Sequence, residues 1–249
     1  MKALDVSSVP NRKTNVLFVI PENTTKGEIV LKDFIEWAET VKSILVLRII
    51  VVINQLDYPV QHRKIAELCK KKQLDNFVVN DLSLKSFSHE IEKMQIDILI
   101  SCGWGWKISD DAIRNAKIAA INCHSSYLPD YKGGSVYNYY WANCERKGGA
   151  TIHFMTNKFD SGNIICQGRF LITLGDSPHD ILIKASETTA LLLRTAFFLI
   201  HNDYEGIPHQ GGRYFFKVGY NELKFHRFVN RLSSLFKLKY RWLTKYKKC

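Results

Sequence analysis

Asn122 and His124 stand two residues apart in the run Ile121-Asn122-Cys123-His124-Ser125-Ser126-Tyr127-Leu128-Pro129-Asp130-Tyr131-Lys132-Gly133-Gly134. The residues before them read as a strand, so alternation puts both side chains on one side of its carboxyl end. In open α/β sheets that is where ligands bind. An amide N–H there can hold a developing oxyanion and an imidazole can shuttle a proton, which are the needs of acyl transfer. Asp160 follows in the polar loop 158–162, where a carboxylate can orient a histidine and favour its charged form. Each residue alone also has a plain reading: His124 satisfying a loop, Asn122 capping a turn, Asp160 in an ordinary D-S-G turn. Cys123 points to the opposite face from its neighbours and reads as packing, not as a nucleophile.

The elements that must hold these residues alternate. Strand-like runs at 15–20, 46–54, 76–80, 97–102 and 118–123 are separated by helical patterns at 28–41, 61–74 and 84–94. Ser109 reads as the N-cap of a further short helix, with Asp110 and Asp111 in its first turn. Repeated β-α-β units imply an α/β fold with a mainly parallel, Rossmann-like sheet flanked by helices. Past residue 148 the texture changes to strands at 150–155 and 163–172. A long helix from about 179 to 201 is started by Ser177-Pro178, a capping residue followed by Pro at the first helical position. A short strand follows at 213–217. The domain division is expected near residue 205, with a catalytic domain over 1–205 and a small C-terminal extension over 206–249.

The two polar segments together resemble the folate-dependent formyltransferases. N-x-H-x-S-x-L-P-x-x-x-G is followed by T-x-H-x-x-x-x-x-x-D-x-G-x-I, which begins 27 residues after His124. The resemblance implies the formyltransferase fold, a 10-formyltetrahydrofolate co-substrate and no metal. It gives Asn122 the formyl oxygen, His124 the proton, and Asp160 a bond to His124 or to a water beside it. His153 falls at the family's second histidine, which is more plausibly structural. Cys102-Gly103-Trp104-Gly105-Trp106-Lys107-Ile108 sits where the family cradles the pterin, and glycines let backbone approach a flat ring. Trp106, Lys107, Ile108, Phe159 and Asp160 are therefore the expected folate contacts; core packing is the competing reading of the two tryptophans.

Three acceptors are weighed on the same resemblance. A glycinamide ribonucleotide enzyme would show a Gly-rich loop after the first strand, where this chain has Pro21-Glu22-Asn23-Thr24-Thr25-Lys26-Gly27. An initiator-tRNA enzyme would carry a further C-terminal domain, for which little chain remains. The expectation is therefore a nucleotide-linked 4-amino or 3-amino deoxysugar, dTDP- or GDP-linked, used in surface glycan (O-antigen, lipopolysaccharide) synthesis. Tyr127, in place of the leucine of S-L-L-P, and Gly211-Gly212-Arg213-Tyr214-Phe215-Phe216 look like that subgroup. Tyr127, Lys132 and Tyr137 are the expected acceptor contacts; a helix with one buried aromatic face is the other reading of the run 137–141. Acting on methionyl-tRNA or glycinamide ribonucleotide is the alternative activity, and a folate-fold binding module is the non-enzyme alternative.

Composition sets the remaining expectations. The 249 residues are 46% hydrophobic, enough for a sizeable core. No apolar run approaches the roughly 18 residues a membrane span needs. Residues 1–13 lack a secretory h-region. The six cysteines have no C-x-x-C pair, which suits reduced cytoplasmic thiols and neither a disulfide scaffold nor a zinc site. Of the net charge of +11, a surplus of eight lies in residues 222–249, with nine Lys or Arg against Glu222 alone. There Phe225, Phe228, Val229, Leu232, Leu235 and Phe236 recur at helical spacing. The plain expectation is a solvated charged face on a docking helix. A weak contact with an anionic membrane surface and a homodimer stand beside it, ahead of nucleic acid.

Overall fold

The computed structural model describes residues 13–22, 24–41, 47–54, 64–79, 93–216, 219–235 and 246–248. The central strand β1 (Thr14–Pro21) is apolar on both sides. Val16, Phe18 and Ile20 enter one hydrophobic cluster, Leu17 and Val19 another, as a strand covered on both faces requires. It anchors a seven-stranded sheet with β2 (Leu47–Asn54), β3 (Asp75–Val79), β4 (Ile98–Cys102), β5 (Ala119–His124), β7 (Lys147–Phe154) and β8 (Ile164–Leu171). The order is β3-β2-β1-β4-β5-β7-β8. β1 to β5 run parallel, whereas β7 and β8 are antiparallel. The order reverses between β1 and β4, so a crevice opens beyond their carboxyl ends. A second sheet, in the order β10-β9-β6, joins β6 (Lys132–Gly133) to β9 (Arg213–Phe215) and β10 (Tyr246–Lys248).

The helices are α1 (Thr25–Val41), α2 (Lys64–Lys72), α3 (Asp110–Asn115), α4 (Val136–Ala142), α5 (Pro178–His201) and α6 (Tyr220–Leu235). α1 starts one turn before the expected residue 28. The expected helix over 84–94 falls mainly outside the described residues, of which 93 and 94 are helical. Ser109 caps α3 as expected, its hydroxyl accepting from Ala112 N at 3.2 Å. Ser177 caps α5, and the Asp180 carboxylate returns a bond to Ser177 N at 2.8 Å, a capping box. α1 and α5 close over one face of the sheet through aromatic rings: Phe34–Phe197 at 5.7 Å and Trp37–Phe197 at 5.4 Å, with Phe18 of β1 beneath at 5.1 Å from Phe34. Arg194 of α5 clamps Asp33 of α1 through Nε and Nη2.

Candidate active site

A cavity of about 780 Å³ lies beyond the carboxyl ends of β1, β4 and β5. The antiparallel register of β5 and β7 sets Asn122 opposite His153 and His124 opposite Thr151. Both β7 residues serve the β5 motif. The buried Thr151 hydroxyl donates to Ser126 O at 2.6 Å and accepts from Leu128 N at 3.1 Å, fixing the turn after β5. His153 Nδ1 lies 2.8 Å from the Phe154 carbonyl, which can only accept. Its Nε2 faces the Asn122 Nδ2 amide at 3.1 Å. The other amide hydrogen of Asn122 faces Asp160 Oδ1 at 3.5 Å, a long bond that a substrate oxygen can replace.

The loop carrying Asp160 is folded back by Gly162, where a Cβ would fall 1.9 Å from the Phe154 carbonyl oxygen. Asp160 is 7% exposed and sits at φ 49°. Its Oδ2 accepts from Gly133 N at 2.8 Å, and its Oδ1 lies 3.5 Å from His124 Nδ1 and 3.6 Å from His153 Nε2. Gly133 can present that N–H because it adopts φ +97°, with no room for a Cβ against Phe215 O at 2.4 Å. His124 Nε2 lies 2.9 Å from the Tyr131 carbonyl, so Nε2 carries a hydrogen and Nδ1 is the site that gains or loses a proton beside Asp160. Tyr131 is itself pinned: its ring stacks on Phe215 at 4.6 Å and its hydroxyl donates to Glu145 at 2.8 Å.

Burial is the largest influence on both members of the His124–Asp160 pair. It pulls the His124 imidazolium below its ordinary pKa, which the neighbouring carboxylate only partly offsets. For Asp160 burial works the other way and is outweighed by His124, His153 and the Gly133 N–H, leaving the carboxyl well below the usual carboxylate range. Asp160 is thus the ionised member of the pair, and His124 Nδ1 faces it.

On the far wall, Trp106, Lys107, Ile108, Phe159 and Asp160 all line the cavity, as do Gly103, Trp104 and Gly105. Trp104 and Trp106 meet edge to face at 5.3 Å. Trp106 and Phe159 are exposed, whereas Ile108 is buried in the cluster with Leu17 and Leu99. Exposed rings suit the faces of a flat heterocycle and open glycine backbone suits its polar edge, so these residues fit a pterin. Among the described residues, no group of three or more His, Cys, Asp and Glu is placed to hold a metal ion.

The expected acceptor contacts divide. Tyr137 lines the cavity; Tyr127 and Lys132 do not. Tyr127 lies beyond the end of β5, and its ring packs away from the cavity. There Gly149 leaves it room, a Cβ at that position meeting Tyr127 Cβ at 2.8 Å, and Arg169 covers it at 3.7 Å. Lys132 is buried outside the cavity lining, its backbone held by pairing with Tyr214. Tyr214, Phe215 and Phe216 line the cavity as well. Sequence reasoning also missed Lys26, which is 5% exposed, lines the cavity from the first turn of α1 and donates to the Cys123 carbonyl. A lysine in a first helical turn carries no sequence signal of this; only the α1–β5 contact reveals it. His209, beyond α5, is a third imidazole near the carboxylate. Burial first, then Lys132 and His153, hold it below its ordinary pKa, against smaller opposing influences from the Gly162 backbone and Asp160.

Cys123 pairs in register with Cys102 of β4. The hydrogen bond with Cys102 and then burial hold its thiol well above the ordinary value, which suits packing and not nucleophilic attack.

The formyl transferase family model matches residues 14–195. Methionyl-tRNA formyltransferase of Ligilactobacillus salivarius is 29% identical over 175 residues, covering 68% of this chain and 55% of its own length. That of Listeria welshimeri is 30% identical over 151 residues, covering 58% and 48%. The chain thus spans about half the length of these curated relatives. Among solved structures, glycinamide ribonucleotide transformylase 1 from Symbiobacterium toebii superposes with a TM-score of 0.67 at 15% identity, over 79% of this chain and 94% of that one. A formyltetrahydrofolate deformylase from Pseudomonas syringae gives 0.65 at 17% identity, over 77% and 62%. Those likenesses show the fold; the family match, over more than half the chain and including both polar segments, shows that this chain belongs to the formyl transferase family.

Proposed function

We propose that the chain transfers a formyl group from 10-formyltetrahydrofolate to the amine of a nucleotide-linked amino-deoxysugar, with Asn122, His124 and Asp160 at the reacting centre. The observation that carries this is their convergence, within 3.5 Å of one another through Asp160 Oδ1, on a cavity with pterin-like walls. The bound donor supplies the formyl carbon. The Asn122 amide turns one N–H to the formyl oxygen as negative charge builds there, the interaction at present made with Asp160. His124 Nδ1 takes the proton that the attacking amine sheds and returns it to the departing nitrogen. Asp160 meets the resulting imidazolium with a full charge, held in place by Gly133 N–H.

The acceptor rests on the side of the cavity formed by Tyr137, Tyr214 and Phe216, where aromatic faces suit a sugar ring or a base. Lys26, Lys107 and Lys158 line the same space and suit an anionic substrate. The second reading is methionyl-tRNA, favoured by the names of the relatives. The test is a coupled assay with 10-formyltetrahydrofolate and dTDP- and GDP-linked amino sugars, beside charged initiator tRNA and glycinamide ribonucleotide. Turnover with one amino sugar alone, with a one-formyl mass gain, supports the reading. Turnover only with a tRNA or ribonucleotide overturns the acceptor, and donor binding without turnover on any overturns the chemistry.

A further inference from the structure

Helix α6 is turned inside out. Its inward face holds Leu223, 2% exposed, together with His226 and Asn230, each 9% exposed, and the half-buried Arg227. These inward polar groups are tied to the domain: Asn230 donates to Ala142 O at 2.9 Å, and Arg227 to Leu174 O at 3.1 Å and to Trp141 O. The guanidinium of Arg227 also lies 4.4 Å above the Trp141 ring. Outward, by contrast, stand Phe225 at 63%, Phe228 at 60% and Leu232 at 39% exposure, spaced i, i+3 and i+7 on one stripe. Lys224 and Arg231, both exposed, lie together along one edge of that stripe. A helix docked through its polar residues with its phenylalanines in water has its apolar face directed at something outside the domain.

We infer that α6 seats on an anionic lipid surface, with Phe225, Phe228 and Leu232 at the acyl boundary and Lys224 and Arg231 against the phosphates. Charge selects an anionic partner, because residues 222–249 carry nine Lys or Arg against one acid. A second copy of the chain would bring the same surplus against itself, and a stable dimer needs about 800 Å² from each partner, more than three side chains provide. Nucleic acid is a poorer fit: single strands are held by rings in a charged groove, whereas this face is convex and one of its three apolar side chains is leucine. An apolar stripe edged by lysine and arginine is the pattern of helices that lie in a membrane interface. No described helix is long and apolar enough to cross a membrane, so the contact is peripheral.

The test is sedimentation of the full chain with phosphatidylcholine vesicles, with and without phosphatidylglycerol, at low and high salt. The expected result is binding only to the anionic vesicles, weakened by salt. F225S/F228S/L232S and K224E/R231E should each weaken it roughly tenfold or more. Both sets lie on the solvent side, and unchanged circular dichroism and melting temperature check that the variants remain folded. Four results overturn the inference: no sedimentation, equal sedimentation with uncharged vesicles, indifference to both variants, or a dimer or an RNA complex that dissolves in F225S/F228S/L232S while vesicles remain unbound.

Discussion

In the proposed reaction Asp160 stays an anion while His124 cycles between neutral and charged forms, and their common burial makes both requirements measurable. His124 is held below its ordinary pKa, near 6.5, and acts as a base when neutral. The turnover rate should therefore rise with pH on an acidic limb centred below about 6.5 and be level in this group above it, as a stopped-flow pH profile would show. His124→Asn should cost about 10²–10⁴-fold in kcat with donor affinity little changed, measured by single-turnover kinetics and folate titration. The linkage for Asp160 has the opposite sign. Its folded pKa lies below the unfolded value, so its stabilisation is complete above about pH 4 and is lost as the pH falls through the folded value. Thermal melts should show the wild type losing stability on acidification more steeply than Asp160→Asn. Asn122, His124 and Asp160 were legible because their types and spacing form a motif. The bond from Asn122 to His153 was not, because it exists only in the register of β5 against β7. Tyr127 was expected at the acceptor from the resemblance alone, and its ring lies under Arg169, outside the cavity lining.

At the scale of elements, the β5–β7–β8 edge decides whether the motif becomes a site. The run between β7 and β8 spans only nine residues, too short for the crossover a parallel pair needs, so the strands must turn back on each other. That reversal puts Asp160 at the tip of a hairpin aimed at His124. Gly162→Ala should spoil it, since the added carbon meets the Phe154 carbonyl. The expected loss is about 1–3 kcal/mol in a chemical melt, with kcat falling further than stability accounts for. Ser177→Ala removes the capping box of α5 and should cost about 1 kcal/mol, with kinetic constants unchanged because α5 acts through its aromatic seam with α1. β1 and β5 were readable as continuous apolar runs and α5 by its start signal. The pairing of β9 with β6 was not readable, because strands of two and three residues carry no periodicity.

Across the whole molecule, the two sheets meet at the candidate site. Gly133, which holds the Asp160 carboxylate, belongs to the small sheet, while Asn122 and His124 belong to the large one. Phe215 fastens the two, fully buried between Tyr131 and Tyr139 at 4.6 Å from each ring. Phe215→Ala should destabilise the protein by about 3–5 kcal/mol. At temperatures where it remains folded, it should also slow turnover, because both Tyr131 O and Gly133 N lose their support. Separating the melting temperature from kcat at low temperature would distinguish the two effects.

The facing thiols of Cys102 and Cys123 offer a clock for this junction. Both are buried, one at the root of the segment carrying Trp104 and Trp106 and the other between Asn122 and His124. An alkylating reagent reaches them only when the ends of β4 and β5 part, so the rate of their modification, followed peptide by peptide, counts openings of the catalytic end of the sheet. A donor laid across that end would slow the count before any formyl group moves.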